Sequence, residues 1–459
     1  MRVPGAGAGR RAIVVGGGLA GMAAALRLAT AGCKVTLLER RPFLGGRAFS
    51  FRDSETGAVI DNGQHVLVGA CRRLRAFLSD IGSPPGGFAR QRVLSVPILD
   101  GRGRRSTLSA ARLPSPLHLL PALLRYRHLG RRDRLAVARD VGALACSVNR
   151  SALEDVPLGA WLAGRGASPE AVERFWEPLV TPALNVGVSE ANLPLTSFFL
   201  KRALWSGAAG GALWLPRTGL SETIGEPGRR ALEAAGVTVR VGERVTAVAV
   251  EGGRALGVEV SGGNPLEADV VVSALPPREL DLTLEGTPGY AAVGAVPIVN
   301  AYLWYDRRVA DLAFAGTFGS PLQWMFDRER LLGPERAGGH CLGISLSAAD
   351  GWIDLPKEEI AGRLDEAVGR VLPRRKGARL EASTVVKEPR ATFRADAGCA
   401  RRRPGARGPV DGVWLAGDWT DTGWPATMEG AVRSGEEAAA AALTAIGEAR
   451  GSTAREPRT

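Results

Sequence analysis

The sequence predicts an α/β protein in which a Rossmann-like nucleotide-binding domain is interleaved with a second, α+β domain. Three observations carry this. Near the start, an apolar strand (residues 13–15), the turn Gly16-Gly17-Gly18-Leu19-Ala20-Gly21, an Ala/Leu-rich helix (22–31) and a second strand (34–38) closed by Glu39 follow in the order of a nucleotide-binding βαβ unit. Strand patterns of the buried, parallel kind return at 268–274 and 412–416, so pieces of this sheet recur in the middle and at the end of the chain. At 459 residues the chain also exceeds one compact domain.

The glycine turn comes first. Gly16, Gly18 and Gly21 let the backbone turn tightly and approach a pyrophosphate, and Leu19 and Ala20 begin a helix whose unpaired N–H groups and dipole favour an anion. Glu39 offers its carboxylate to a ribose 2′-hydroxyl, while Arg40 and Arg41 beside it leave a 2′-phosphate open. Gly45-Gly46-Arg47 adds N–H groups and a guanidinium beyond that ribose. Later, Val245 in Glu243-Arg244-Val245 can bring backbone to an adenine, and Asp418 in Gly417-Asp418 can hold a ribityl hydroxyl. Ala426, Thr427 and Met428 open a helix whose N-terminus can face the negative side of a flavin ring. Together these parts suit FAD rather than NAD.

The remaining elements follow in order. Residues 76–212 are helical in pattern. A helix over 221–235 is expected with Ser221 as its N-cap. Strands at 237–241, 245–251 and 255–260, separated by glycines, read as a small meander. Strands near 298–305 and 342–347, a helix near 357–372 and a closing helix at 426–446 complete the chain. The FAD-binding domain is thus expected from 11–75, 213–276 and 405–447, the substrate domain from 76–212 and 277–404, and flexible tails from 1–10 and 448–459. Between 113 and 129, leucines 113, 117, 119, 120, 123 and 124 sit among prolines 114, 116 and 121 with arginines on either side. That pattern fits a peripheral membrane contact, although an ordinary helix packed on the core is the favoured reading.

Composition narrows the function. The net charge of +12 comes almost wholly from arginine, since lysine occurs only at 34, 201, 357, 376 and 387. No basic, aromatic-interleaved segment accompanies it, so no nucleic-acid partner is expected. Cys33, Cys71, Cys146, Cys341 and Cys399 are odd in number and scattered, and suggest a reducing, cytoplasmic setting. The four histidines show no metal-ligand spacing, so no metal is expected. The first ten residues lack the apolar core of a signal peptide, and no apolar run reaches bilayer length.

With these motifs in place, the chain resembles the flavin amine oxidases, phytoene desaturases and protoporphyrinogen oxidases over nearly its whole length. Within that superfamily, Asp61-Asn62-Gly63-Gln64-His65-Val66-Leu67 with Gly69, Phe175-Trp176-Glu177-Pro178-Leu179, Ala183-Leu184-Asn185, Pro216-Arg217-Thr218-Gly219-Leu220-Ser221 and Gly417-Asp418-Trp419-Thr420 resemble the squalene-associated FAD-dependent desaturase group. The resemblance implies a glutathione-reductase-like, amine-oxidase-type fold. It also implies hydroxysqualene dehydroxylation, the replacement of an allylic hydroxyl on a long isoprenoid by hydride, in a route to hopanoids or related triterpenoids. Gly63, Gln64 and His65 join the cofactor set on this basis.

Such a reaction needs an acid for the leaving oxygen and stabilisation of allylic cation character. His65 and Glu177 are the first candidate acids and Asp421 the next, although His65 can equally serve only to orient the flavin and Glu177 to bond within a helix. Phe175, Trp176, Phe198, Phe199, Trp205 and Trp214 are candidates for lining a hydrocarbon tunnel. No second glycine fingerprint appears between 215 and 445, which leaves the electron donor open. Two alternatives remain: a carotenoid-type desaturase or amine oxidase, and a non-catalytic prenyl-lipid-binding chaperone of the same fold.

Overall fold

The computed structural model describes residues 7–115, 117–147, 152–207, 209–333 and 339–453. Arg11–Val15 (β1) lies between Lys34–Glu39 (β2) and Val270–Ser273, parallel to both. A strand so flanked has no solvent face, which is why the Ala-Ile-Val-Val run follows no alternation. Val413–Leu415 and Thr238–Val241 extend the sheet to five parallel strands drawn from the start, middle and end of the chain. Leu19–Thr30 (α1) and the closing helix Met428–Thr453 share one apolar core with this sheet, where Val14, Leu28, Leu37 and Val272 are fully buried. Burial of each such side chain contributes about 1.5–3 kcal/mol. The two helices touch backbone to backbone at Gly435, where a Cβ would fall 2.0 Å from the Ala20 carbonyl oxygen.

Two expectations about this half are corrected. The strand Thr238–Val241 is not part of the meander but pairs in parallel with β2. The meander consists of Val245–Glu251, Arg254–Val260 and Leu266–Glu267. Apolar alternation marks a strand without saying which sheet it joins. Nor is Ser221 an N-cap, because its hydroxyl accepts from the Ser50 N–H. The helical stretch is capped from a distant strand instead. Asp61 Oδ1 accepts from the Leu220 N–H at 2.9 Å, and Ser50 Oγ accepts from the Ser221 N–H at 3.0 Å.

The second half is built on a mixed seven-stranded sheet, in the order 380–392, 296–305, 340–346, 324–327, 314–317, 95–99 and 105–109. Its last two strands form a hairpin within the region expected to be helical, and Phe88–Arg90 is a further strand there. Each is only three to five residues long, too short to show a period. Helices Arg131–Ser147, Glu177–Leu184 and Leu193–Leu204 form the layer against the sheet. Asn185 joins the two. It ends the helix Glu177–Leu184 in the left-handed region (φ 56°), a conformation Asn tolerates. Its amide nitrogen donates to the Val296 carbonyl and Thr392 Oγ1, and its oxygen accepts from the Ala348 N–H.

Residues 113–129 do not form one core-packed helix. The prolines limit them to a 3-10 turn, Leu117–Leu119, and the short helix Leu120–Leu124. Leu123 and Leu129 are buried, but Leu113, Leu117, Leu120 and Leu124 face solvent. Among the described residues no helix is long and apolar enough to cross a membrane.

Candidate active site

One cavity of about 810 Å³ runs from the β1–α1 turn, past the C-terminal edge of the parallel sheet, to the floor of the seven-stranded sheet and the helical layer. Its polar end holds nearly every expected cofactor residue. Gly16, Gly18, Leu19, Ala20, Glu39, Arg40, Gly46, Arg47, Gly63, Gln64, His65, Val245, Gly417, Asp418, Ala426, Thr427 and Met428 all line it. Gly21 does not. A Cβ there would lie 1.9 Å from the Gly16 carbonyl oxygen, so this glycine lets α1 sit on the turn rather than touching a ligand.

The local geometry explains the cradle. Gly46 has φ +61°, and a Cβ on it would come within 2.9 Å of the Gly18 Cα, so two backbone segments touch where only glycines fit. A Cβ on Gly18 would meet nothing closer than the Gly46 Cα at 3.7 Å and would project into the space a phosphate needs. The helix α1 begins at this point with no side-chain cap, leaving its N-terminus to an anion. Glu39 is fixed by two backbone donors, Gly17 N–H to Oε2 at 2.7 Å and Arg41 N–H to Oε1 at 2.8 Å, which hold its carboxylate at the cavity wall. Arg47 Nη2 donates to Asp418 Oδ1 at 2.5 Å and Nη1 to the Ala391 carbonyl. The Asp418 charge raises the Arg47 guanidinium above its ordinary value. A glycine cradle, a helix N-terminus, a carboxylate and a guanidinium in one trough fit an adenine dinucleotide carrying a second, ring-bearing half.

Of the three candidate acids only His65 lines the cavity. Glu177 does not line the cavity; it accepts from Thr181 Oγ1 in its own helix and from the Val188 N–H, 3.1 Å away in the turn after that helix, which makes it a local structural bond partner. Asp421 lies on the loop outside, accepting from the Gly423 N–H and standing 3.8 Å from Arg403. His65 Nδ1 donates to the Gly63 carbonyl at 2.9 Å, so Nε2 carries the lone pair. Burial pushes this imidazole below its ordinary value, partly countered by the Gly63 carbonyl and the Asp61 charge. His65 is therefore a neutral hydrogen-bond acceptor at physiological pH rather than a ready acid.

Sequence reasoning missed Glu388. It lines the cavity from the strand Leu380–Thr392, next to Ile298 in register. The other lining carboxylates are engaged: Glu39 and Asp418 as above, Glu429 by Arg433 and the Leu74 N–H, and Glu243 and Glu279 by Arg240 and Arg390. Glu388 has no hydrogen-bond or ion-pair partner among the described residues. No motif marks it, because its strand alternates irregularly and contains Pro389.

The other end of the cavity is apolar. Leu94, Leu123, Leu179, Phe175, Phe199 and Trp205 line it together with Trp324 and Phe326 of the sheet. Three of the six expected aromatics are elsewhere. Trp176 is fully buried core, Phe198 packs edge-on against Trp424, and Trp214 lies between the guanidiniums of Arg75 and Arg90. Asp327, Glu329 and His340 bring ligand-type atoms within 4.8 Å of one another. Arg308 and Arg330 pair with their carboxylates, and both His340 nitrogens face protein partners, so this cluster is an ion-paired network.

Residues 19–443 match the family model of flavin-containing amine oxidoreductases. A hydroxysqualene dehydroxylase of Rhodopseudomonas palustris is 31% identical over 94% of this chain and 98% of its own length. One from Sinorhizobium fredii is 30% identical over the same shares. The 15-cis-phytoene desaturase of Solanum lycopersicum is 25% identical over 92% of this chain and 76% of its own length. Among solved structures, an oxidoreductase of Methanosarcina mazei aligns with a TM-score of 0.70 at 18% identity over 93% of this chain and 98% of that one. Putrescine oxidase bound to putrescine aligns with a TM-score of 0.69 at 18% identity over 95% and 99%. These two likenesses bear on the fold.

Proposed function

This chain belongs to the flavin-containing amine oxidoreductase family, and we propose that within it the protein is an FAD-dependent hydroxysqualene dehydroxylase, reducing a long allylic isoprenoid alcohol to its hydrocarbon. The protein is a flavin-dependent oxidoreductase. FAD is the form of flavin that the cradle favours, because Glu39 and Val245 add a ribose and adenine end to the polar trough. The observation that carries the substrate reading is the continuity of this trough with an apolar chamber, in a cavity whose wall holds one carboxylate, Glu388, without a hydrogen-bond or ion-pair partner among the described residues.

When bound and reduced, the flavin supplies a hydride. The chain's own residues do the rest. His65 Nε2 accepts the hydrogen bond of the substrate hydroxyl and orients the C–O bond. Glu388, protonated from solvent before each turnover, delivers that proton to the leaving oxygen as the C–O bond breaks, so that alcohol, proton and hydride become hydrocarbon and water. Phe175, Phe199, Trp205 and Trp324 present ring faces to the developing allylic cation and keep water from it. A cytoplasmic protein in peripheral contact with the membrane suits a substrate this apolar.

The test is anaerobic incubation of the reduced, flavin-loaded protein with hydroxysqualene and analysis of the extract by mass spectrometry. Squalene is expected. Unchanged alcohol alongside turnover of phytoene would replace this reading by that of a desaturase, and a colourless, flavin-free protein would replace it by that of a lipid-binding chaperone.

A further inference from the structure

We propose that residues 101–132 form a docking face for an anionic lipid bilayer, and that the leucines on it form the doorway through which an apolar substrate passes from the bilayer into the cavity. Only the identity of the passenger rests on the substrate reading above.

The segment carries eight arginines and no aspartate, glutamate or lysine. Leu113, Leu117, Leu120 and Leu124 are 46%, 55%, 41% and 48% exposed, and their spacing puts them on one side of the chain although only the last turn is helical. With Pro121 and Arg125 they enclose a shallow apolar depression on the surface. Large side chains on a water-soluble surface are ordinary when scattered, but a contiguous group of them marks contact with another apolar phase.

Charge identifies that phase. Arg112, Arg125, Arg127, Arg131 and Arg132 are exposed and make no ion pair among the described residues. A leucine patch with Arg125 on its rim and four more exposed arginines in the same segment, with no acid within it, matches acyl chains beneath anionic headgroups. The same short element also turns inward. Leu117 and Leu120 border both the surface depression and the main cavity, and Leu119 and Leu123 continue the lining behind them. An anchor needs no such continuity, whereas a doorway does. A hydrocarbon moving between bilayer and cavity along these leucines need not cross water.

The experiment compares co-sedimentation of the full-length, flavin-loaded protein with vesicles of phosphatidylcholine alone and of phosphatidylcholine mixed with phosphatidylglycerol. The variant is Leu113→Glu/Leu124→Glu, which changes two exposed residues that do not line the main cavity. Wild type is expected to bind the mixed vesicles about ten-fold more tightly than the neutral ones, and the variant to lose about ten-fold. Turnover of a C30 allylic alcohol should be unchanged in the variant when the alcohol is supplied in detergent micelles and about ten-fold slower when it is supplied in vesicles. Wild type that stays in the supernatant with mixed vesicles, or a variant that binds and turns over like wild type, overturns the proposal. If neither protein consumes the alcohol in micelles, the substrate reading fails, while the sedimentation result still decides the docking face.

Discussion

The Arg47 guanidinium and the Asp418 carboxylate meet at 2.5 Å across 371 residues of chain, one following the βαβ unit and the other following the last strand of the same sheet. Both side chains line the cavity, so the pair ties two distant segments together at its polar end. Arg47→Met should leave the fold intact and weaken the hold on the flavin. A lost charge-assisted hydrogen bond is worth about 1.5–3 kcal/mol, and Arg47 is 40% exposed in the free protein, so the lower part of that range applies and flavin affinity should fall about ten-fold. Flavin absorbance per protein after dialysis reads this directly.

Gly18 and Gly46 separate ligand binding from stability. Gly18→Leu should bind no flavin yet melt near the wild-type temperature, since its side chain enters only the cavity. Gly46→Ala should destabilise the protein itself, because its Cβ meets the Gly18 Cα at 2.9 Å and the residue sits at φ +61°. The left-handed conformation alone costs roughly 1–2 kcal/mol. If Gly18→Leu keeps stoichiometric flavin, the phosphates do not rest there.

The carboxylates divide in the same way. Glu388→Gln should slow dehydroxylation by about 100-fold or more with flavin content unchanged, the usual effect of removing a general acid. Asp421→Asn should retain activity. Glu177→Gln should lower stability, since it weakens the acceptor for Thr181 Oγ1 and the Val188 N–H, and leave chemistry in place once folded. Single-turnover rates of pre-reduced protein distinguish these, and a Glu177→Gln variant that folds fully and is dead would move the acid to Glu177.

His65 gives a pH-dependent signature. Its folded value lies below 6.5, chiefly through burial, so the folded protein takes up this proton less readily than the unfolded chain. The stability from keeping it neutral is complete above pH 6.5 and is lost as pH falls from there through the depressed value. His118 and His128 are depressed by burial too and act in the same window. The measurement is therefore the difference between wild type and His65→Gln in denaturant midpoint from neutral pH downward, and the variant should lose less stability on acidification. Parallel curves would mean that His65 is as easily protonated when folded as when unfolded.

Local chemistry was legible in the sequence, and long-range assembly was not. The glycine turn, Glu39 and Gly417-Asp418 stand out because each sits at a fixed spacing from the end of a strand, and the structure brings them to one cavity. Glu388, Trp324 and Phe326 gave no such sign, since a strand residue reaches the cavity only through the register of its sheet. The hairpin Ser95–Leu99/Arg105–Ser109 was missed because its strands are too short to show a period. Glu177 illustrates the converse, a carboxylate in a family-like motif whose two oxygens serve a helix end and a turn.

Arg403 tests how much the cofactor site depends on a residue that does not touch the cavity. Its side chain is fully buried, lies over the Phe393 ring at 4.4 Å, and donates to the carbonyls of Asp418, Trp419, Thr420 and Trp424. One guanidinium thus sets the path of the loop that carries Asp418 and leads to Ala426, Thr427 and Met428. Arg403→Met roughly keeps the volume but leaves the carbonyls of Asp418, Trp419 and Trp424 without this donor, while Thr420 keeps the Thr422 N–H, at about 1–3 kcal/mol for each one that water does not reach. Global stability should drop by about 3–5 kcal/mol, and flavin affinity should fall with it although no lining residue has changed. Denaturant titrations with and without added flavin separate the two effects. A variant with normal flavin affinity and lowered stability would show that the loop keeps its shape without Arg403.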